Sequence, residues 1–219
     1  SLEKKPARNG NPMIAATPLD DPWHYRQKVH FVFAGPSLIM GHYARGSRRV
    51  MAVRECPVHD ERGNAVAFGL YDAYSRVSGR QGLPTLKSVA IRVAGATDET
   101  MATLVVTENS DPRLRAATKK ALATTWAPSS FHVNIHPRGD AYIFGADTRR
   151  ITGTERLRDE VGGATFLISS TAFFQTNVLA ATALVELVAH HAPTSTPLQV
   201  ADLYCGSGLF SLPLAVRGH

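Results

Sequence analysis

The chain has 219 residues, 44% of them hydrophobic and 19% charged, a balance that suits a soluble globular protein of one large or two small domains. No apolar run approaches the roughly 18–20 residues that span a bilayer, and Ser1-Leu2-Glu3-Lys4-Lys5 lacks the apolar centre of a signal peptide, so the expected location is cytoplasmic and no membrane partner is expected. Twenty-four Lys and Arg against eighteen Asp and Glu leave a net charge of +6 and a pI near 9.6, a mild signal for a polyanionic partner beside the plainer reading of a solubilising surface.

Residues 1–20 are polar, with Pro6, Gly10, Pro12 and Pro18 scattered through them, and read as a flexible lead-in or severed linker. A chain that starts without Met suggests a processed or engineered end. From Lys28 to Phe33, Val29, Phe31 and Phe33 alternate onto one face and predict a strand. Gly35-Pro36-Ser37 marks a turn, and 38–43 and 49–53 read as two further strands around the loop 44–47. This meander carries Arg45, Arg48, Arg49 and Arg54.

The period then changes. Val66, Leu70, Ala73 and Val77 recur at helical spacing and predict a helix over about 60–77, weakened at its start by Gly63 and closed by Ser78-Gly79. Strands follow at 88–93 and 102–107. Asp111-Pro112 predicts a second helix over about 113–124, with Asp111 as N-cap and Pro112 at the first helical position. Strands are expected at 131–135 and 142–145, and the stretch 151–170 reads as a hairpin turning at Gly162-Gly163. Beyond Asn177, Val178, Ala181, Val185 and Val188 predict a helix ending near His190. A connector over 192–197 leads into an apolar run (Leu198, Val200, Leu203) expected to be a buried strand. Asp202, the turn Gly206-Ser207-Gly208 and a helical run from Leu209 follow.

The resulting fold class is an α+β central domain over 21–170 followed, over 171–219, by the start of a Rossmann-like α/β unit. Strand, glycine turn and helix is a way to hold a nucleotide-like ligand, because glycine lets the backbone approach closely and a helix N-terminus presents free N–H groups. Taken alone, the Gly-Ser-Gly turn does not separate a nucleotide site from a structural turn. Two cysteines, Cys56 and Cys205, give neither a disulfide framework nor metal-ligand spacing; Cys205 is expected to pack under the turn.

The longer string Asp202–Ala215 resembles the first motif of the RNA uracil-5-methyltransferases, which bind S-adenosylmethionine. Phe173-Phe174-Gln175-Thr176-Asn177 resembles that family's Phe-x-Gln-x-Asn segment, Pro22–Arg26 its aromatic-Arg entry to the central domain, and Arg54-Glu55-Cys56-Pro57 the segment carrying the last cysteine of an iron–sulfur cluster. These matches occur in family order and cover nearly the whole chain from residue 21.

The resemblance implies that Gln175 contacts S-adenosylmethionine, that Tyr204 lines its pocket beside Gly206 and Gly208, and that Phe173 lies near a flipped target base. Asn177 and Gln175 have a plainer reading as caps of the following helix, and Phe173 as a core aromatic at a domain junction. Leu209 stands where many members place a cofactor-contacting Asn. Cys56 is implied as an iron–sulfur ligand only in a longer parent, since the other three cysteines of that cluster have no counterpart upstream of Trp23; its plainer reading is a buried small hydrophobe.

Ribosomal RNA is favoured over transfer RNA, because a cysteine at position 56 goes with the cluster-bearing branch; the segment 131–137 also resembles that branch. In the family a cysteine thiolate adds to uracil C6 and a general base later removes the C5 proton. Both groups, and the acid that holds the cofactor ribose, lie beyond the position of His219. The expectation is therefore a chain with no catalytic residue of its own, inert alone and binding S-adenosylmethionine weakly or not at all. The alternatives are a non-catalytic RNA-binding module, with its basic side chains on 45–54 and 113–120, a transfer-RNA uracil-5-methyltransferase, and a methyltransferase acting on another substrate. Oligomeric state is open, although a lone strand and helix at the end would expose apolar surface and favour pairing or swapping.

Overall fold

A computed structural model describes residues 21–137, 139, 142–192 and 197–219. The lead-in predicted for 1–20 and most of the connector over 192–197 lie outside the described residues.

Seven strands form one twisted sheet in the order β3-β2-β1-β4-β5-β6-β7: β1 (Lys28–Ala34), β2 (Ile39–Tyr43), β3 (Val50–Ala52), β4 (Leu86–Val93), β5 (Thr100–Val106), β6 (Ser130–Ile135) and β7 (Asp147–Thr152). All neighbours are antiparallel except β5 and β6, which run parallel because α2 (Pro112–Ala121) carries the chain back between them. The helix α1 (Glu61–Ser78) lies beside α2 on one face of the sheet.

Local chemistry sets the helix ends. Asp60 Oδ1 accepts from Arg62 N at 2.9 Å and starts α1. Asp111 Oδ1 accepts from Arg113 N at 2.9 Å, with Pro112 at the first position of α2. Gly79, at φ +55°, ends α1. Gly63 is no weakness, since a Cβ there would lie 2.3 Å from the His59 ring. The glycine lets the first turn of α1 sit directly on that imidazole.

Alternation sorts the sheet into two faces. Phe31 and Phe33, Val89 and Ile91, Leu104 and Val106, and Phe131 and Val133 point toward the helices and meet Val66, Leu70, Tyr74, Leu114, Ala117 and Ala121 in the main core. Each large side chain buried here contributes about 1.5–3 kcal/mol. Tyr74 is fully buried, and its hydroxyl shares a 3.1 Å hydrogen bond with Thr118 Oγ1, tying the two helices together. Ser88, Arg92, Thr103, Ser130, His132 and Asn134, on the opposite face, are buried as well, but polar.

A second layer begins with the hairpin β8 (Arg156–Val161) and β9 (Ala164–Ser169), which turns at Gly162 and Gly163 as expected. It packs against α3 (Val178–His190) and the short helix α4 (Ser211–Val216) through Leu157, Phe166, Ile168, Phe174, Ala181, Val185 and Leu209. The buried face of α3 uses Ala189 where the sequence suggested Val188, which is 38% exposed.

Two expected strands are absent from the described residues. The stretch 142–145 is not a strand; β7 begins at Asp147 instead. Asn134 explains the difference. Its side chain accepts from Gly145 N at 2.7 Å and donates to Gly145 O at 2.9 Å, taking the backbone groups a ladder would use. The run 198–203 is also irregular, with Val200 49% and Leu203 81% exposed. Among the described residues no strand lies beside it to share a ladder, and an extended segment without a partner gains nothing from alternation.

Candidate functional site

The segment 170–177 is strapped to the central sheet at both ends. Gln27 N donates to Thr176 O at 2.7 Å, and Arg26 bridges Asn177. At the other end Lys28 Nζ and Arg92 Nη2 both donate to Ala172 O, at 3.3 and 3.1 Å, and Thr103 Oγ1 reaches Ser170 O at 3.5 Å. Asn177 caps α3 through Ala180 N at 2.9 Å. Between these anchors Phe174 is 2% exposed and packs on Phe166, whereas Phe173 is 79% exposed and Gln175 is also at the surface. An exposed phenylalanine held by so ordered a backbone is not a core aromatic; it is a ring presented to solvent.

The glycine turn lies across from it. Tyr204, Gly206 and Gly208 all have positive φ, +61°, +56° and +78°. Gly208 is required twice over, because its Cβ would also meet Leu212 Cγ at 3.1 Å; a Cβ on Gly206 would approach only Tyr204 O, at 4.0 Å. Gly208 N donates to Cys205 O and closes the turn. Tyr204 is fully exposed, while Leu209 is buried beside Phe174 and Val185 and so belongs to the core. Cys205 is exposed, not packed under the turn, because the turn projects outward from α4. The six-residue α4 offers little free N–H: Leu212 N is already bonded to Gly208 O, and position 213 is proline. The binding capacity of this turn rests on its glycines.

A cavity of about 220 Å³ joins these parts, lined by Phe173, Phe174 and Ala172, by β9 from Thr165 to Ile168, and by Ser207 and Leu212. Phe173 and the glycine motif, 34 positions apart, are thus brought to one place. The wall from β9 was not foreseen, since nothing in Thr165–Ile168 distinguishes it from any alternating strand. Ser207 had a signal in its place between two positive-φ glycines. Asp202 Oδ2, just before the turn, is buried without a hydrogen-bond partner among the described residues.

The remaining predicted residues lie elsewhere. Arg45, Arg48 and Arg49 are exposed around the β2–β3 loop, on the far edge of the seven-stranded sheet. Cys56 is buried in the main core, its backbone held by Asn64 through hydrogen bonds of 3.2 and 3.0 Å. Among the described residues no group of three or more His, Cys, Asp or Glu is placed to hold a metal ion, and Cys56 and Cys205 are both free. These residues do not fit a four-thiolate cluster.

No protein-family model matches the chain. It is 30% identical over 209 residues to an uncharacterized RNA methyltransferase of Thermosynechococcus vestitus, covering 93% of this chain and 46% of that one. It is 31% identical over 192 residues to one of Parasynechococcus marenigrum, covering 83% and 40%. A solved structure of the Pyrococcus abyssi tRNA (uracil-54, C5)-methyltransferase in complex with S-adenosyl-L-homocysteine is among those that match, with a TM-score of 0.73 at 21% identity, over 91% of this chain and 48% of the other. The two share a fold. The chain spans about half the length of the relatives it matches. No helix among the described residues is long and apolar enough to cross a membrane.

Proposed function

We propose that this chain forms the RNA-facing domain and the first cofactor wall of an S-adenosylmethionine-dependent RNA uracil-5-methyltransferase. The cavity that joins Phe173 to the glycine turn carries this reading. A base stacked on the exposed Phe173 ring would lie beside the loop that the resemblance assigns to the cofactor. Gly206 and Gly208 let the backbone come close to a ligand, Tyr204 stands exposed in the same turn, Gln175 is exposed two positions after Phe173, and Ser207 adds a hydroxyl to the wall. The residue at 209 acts from within the core, supporting the turn without touching a ligand. When bound, S-adenosylmethionine supplies an electrophilic methyl group; the chain's own residues orient the acceptor base and shield one side of it from water.

The relatives named as RNA methyltransferases support the reading, as does the fold shared with a uracil-C5 enzyme. Ribosomal RNA is the proposed substrate ahead of transfer RNA, on the resemblance of the segments around Cys56 and 131–137 to the ribosomal-RNA branch of the family. Arg45, Arg48 and Arg49 are proposed to track the RNA backbone. The domain boundary is proposed near 170, and the chain alone is proposed to lack the nucleophile and the base.

Amide NMR with millimolar S-adenosylhomocysteine tests the cofactor wall. Small shifts confined to 173–177 and 204–209 are expected, at an affinity weaker than micromolar because Tyr204 is uncovered. Shifts only around α2, or tight binding away from the turn, would overturn it.

A further inference from the structure

The polar face of the central sheet holds a concentration of positive charge with no direct ion pair to a carboxylate among the described residues. The register places Lys28 opposite Arg92, and one level along it aligns His30, Ala90, Thr103 and His132 across four strands. Lys28 and Arg92 converge on a single neutral acceptor, Ala172 O. Among the described residues neither forms an ion pair with a carboxylate. Asp159 is near enough for its charge to be felt by Arg92, but one of its oxygens already accepts from Gly95, Ala96 and Glu160 N–H groups.

Donors remain unused. Arg92 is 4% exposed and its Nε has no partner among the described residues; there too His132, 3% exposed, has both ring nitrogens unpartnered, and His30 Nε2 is unpartnered as well. The Lys28 ammonium makes one hydrogen bond, to Ala172 O, and lies 5.2 Å from the centre of the Phe144 ring, leaving donors free at its half-buried end. Two desolvated cations sharing one carbonyl repel each other, and burial with the Arg92 charge brings Lys28 down to about 8. An arrangement of this kind gains most from an anion, held by one of the two cations and within the field of the other. The acceptor these cations hold belongs to Ala172, next to the exposed Phe173.

We propose that Lys28 and Arg92 form a phosphate subsite, taking the backbone phosphate of the nucleotide whose base, or whose neighbour's base, stacks on Phe173. The site rests on the reading of the chain as an RNA-binding protein and adds to it a register: one phosphate fixed beside the presented ring. Arg92, behind Ala172, fixes the carbonyl and the field; Lys28, at the open edge, makes the phosphate contact.

Titration of a structured, uridine-containing RNA hairpin into the protein at several salt concentrations, at pH 7 and pH 9, tests this. Lys28→Met is the primary variant, because a half-buried Lys is replaced by a side chain of similar length with the fold kept. Arg92→Lys keeps the buried charge and serves as the second. Expected for Lys28→Met is a loss of about one phosphate contact from the salt slope, with affinity at low salt down roughly tenfold. The groups facing Lys28 are Arg92 from β4, His30 from its own strand, Phe144 and the Ala172 carbonyl, and none of these titrates between pH 7 and 9. The wild type therefore loses affinity as pH rises through about 8, and Lys28→Met does not. Arg92→Lys should keep the salt slope. An unchanged slope and an unchanged pH response in Lys28→Met, with the wild type binding RNA, would overturn the subsite alone. Failure of the wild type to bind RNA would overturn the functional reading beneath it.

Discussion

Phe174 meets Phe166 at 5.1 Å between ring centroids, tilted by 53° and buried, and that contact turns Phe173, the preceding residue, outward. In an extended segment neighbouring side chains point to opposite sides, so anchoring one ring fixes the direction of the other. Phe174→Ala should cost about 3–5 kcal/mol of stability, as a large buried ring lost from the second core. Phe173→Ala should stay within about 0.5 kcal/mol of wild type yet weaken RNA binding by about 1–3 kcal/mol. Urea melts and RNA titrations of both variants check the division.

The glycine turn separates strain from packing. Gly206→Ala meets only the backbone cost of a positive φ, about 1–2 kcal/mol. Gly208→Ala meets that cost and a contact with Leu212, and should lose about 2–4 kcal/mol. Hydrogen exchange at Leu212 and Leu214, whose amides bond Gly208 O and Phe210 O, should speed up in Gly208→Ala and change little in Gly206→Ala.

Acid should destabilise the central domain. His59 is fully buried with both ring nitrogens unpartnered, and burial holds its imidazole down to about 4; His30 is lowered equally, by burial and then by Lys28. The unfolded chain takes up these protons near 6.5 and the folded chain resists until about 4, so their contribution is full above 6.5 and lost as pH falls from there through 4. Stability measured by urea across that window should fall with a slope approaching two protons. His59→Leu should remove about one of them.

Arg45, Arg48 and Arg49 are exposed, so exchanging all three for Gln should leave stability nearly unchanged while lowering the RNA salt slope by about 2–3. An unaltered slope would place the RNA elsewhere on the molecule.

Much of the fold was legible in residue order. Asp111-Pro112 and Asn177 each mark a helix start, the spacing of Val66, Leu70, Ala73 and Val77 marks α1, and Val29, Phe31 and Phe33 mark a strand, because capping and periodicity are local chemistry. What local patterns could not carry was partnership. β7, with the sequence Asp-Thr-Arg-Arg-Ile-Thr, is an edge strand exposed on both sides and so shows no apolar alternation. The run from Leu198 to Leu203 shows an apolar pattern without a strand, since a ladder needs a neighbour. For the candidate site, the glycines and Phe173 were visible as motifs. That Cys205 and Tyr204 would face outward, Leu209 inward, and β9 supply a wall depended on how two distant segments pack. The buried charge at Arg92 was equally hidden, in a strand that otherwise reads as plain hydrophobic alternation.

Photocrosslinking of a 5-bromouridine-containing structured RNA, with the attached peptide identified by mass spectrometry, locates the base site. A crosslink to the peptide containing Phe173, lost in Phe173→Ala and retained in Phe174→Leu, is expected. RNA bound with comparable affinity but crosslinked only around the β2–β3 loop or α2 would contradict it, leaving the chain a basic RNA-binding module without a base site.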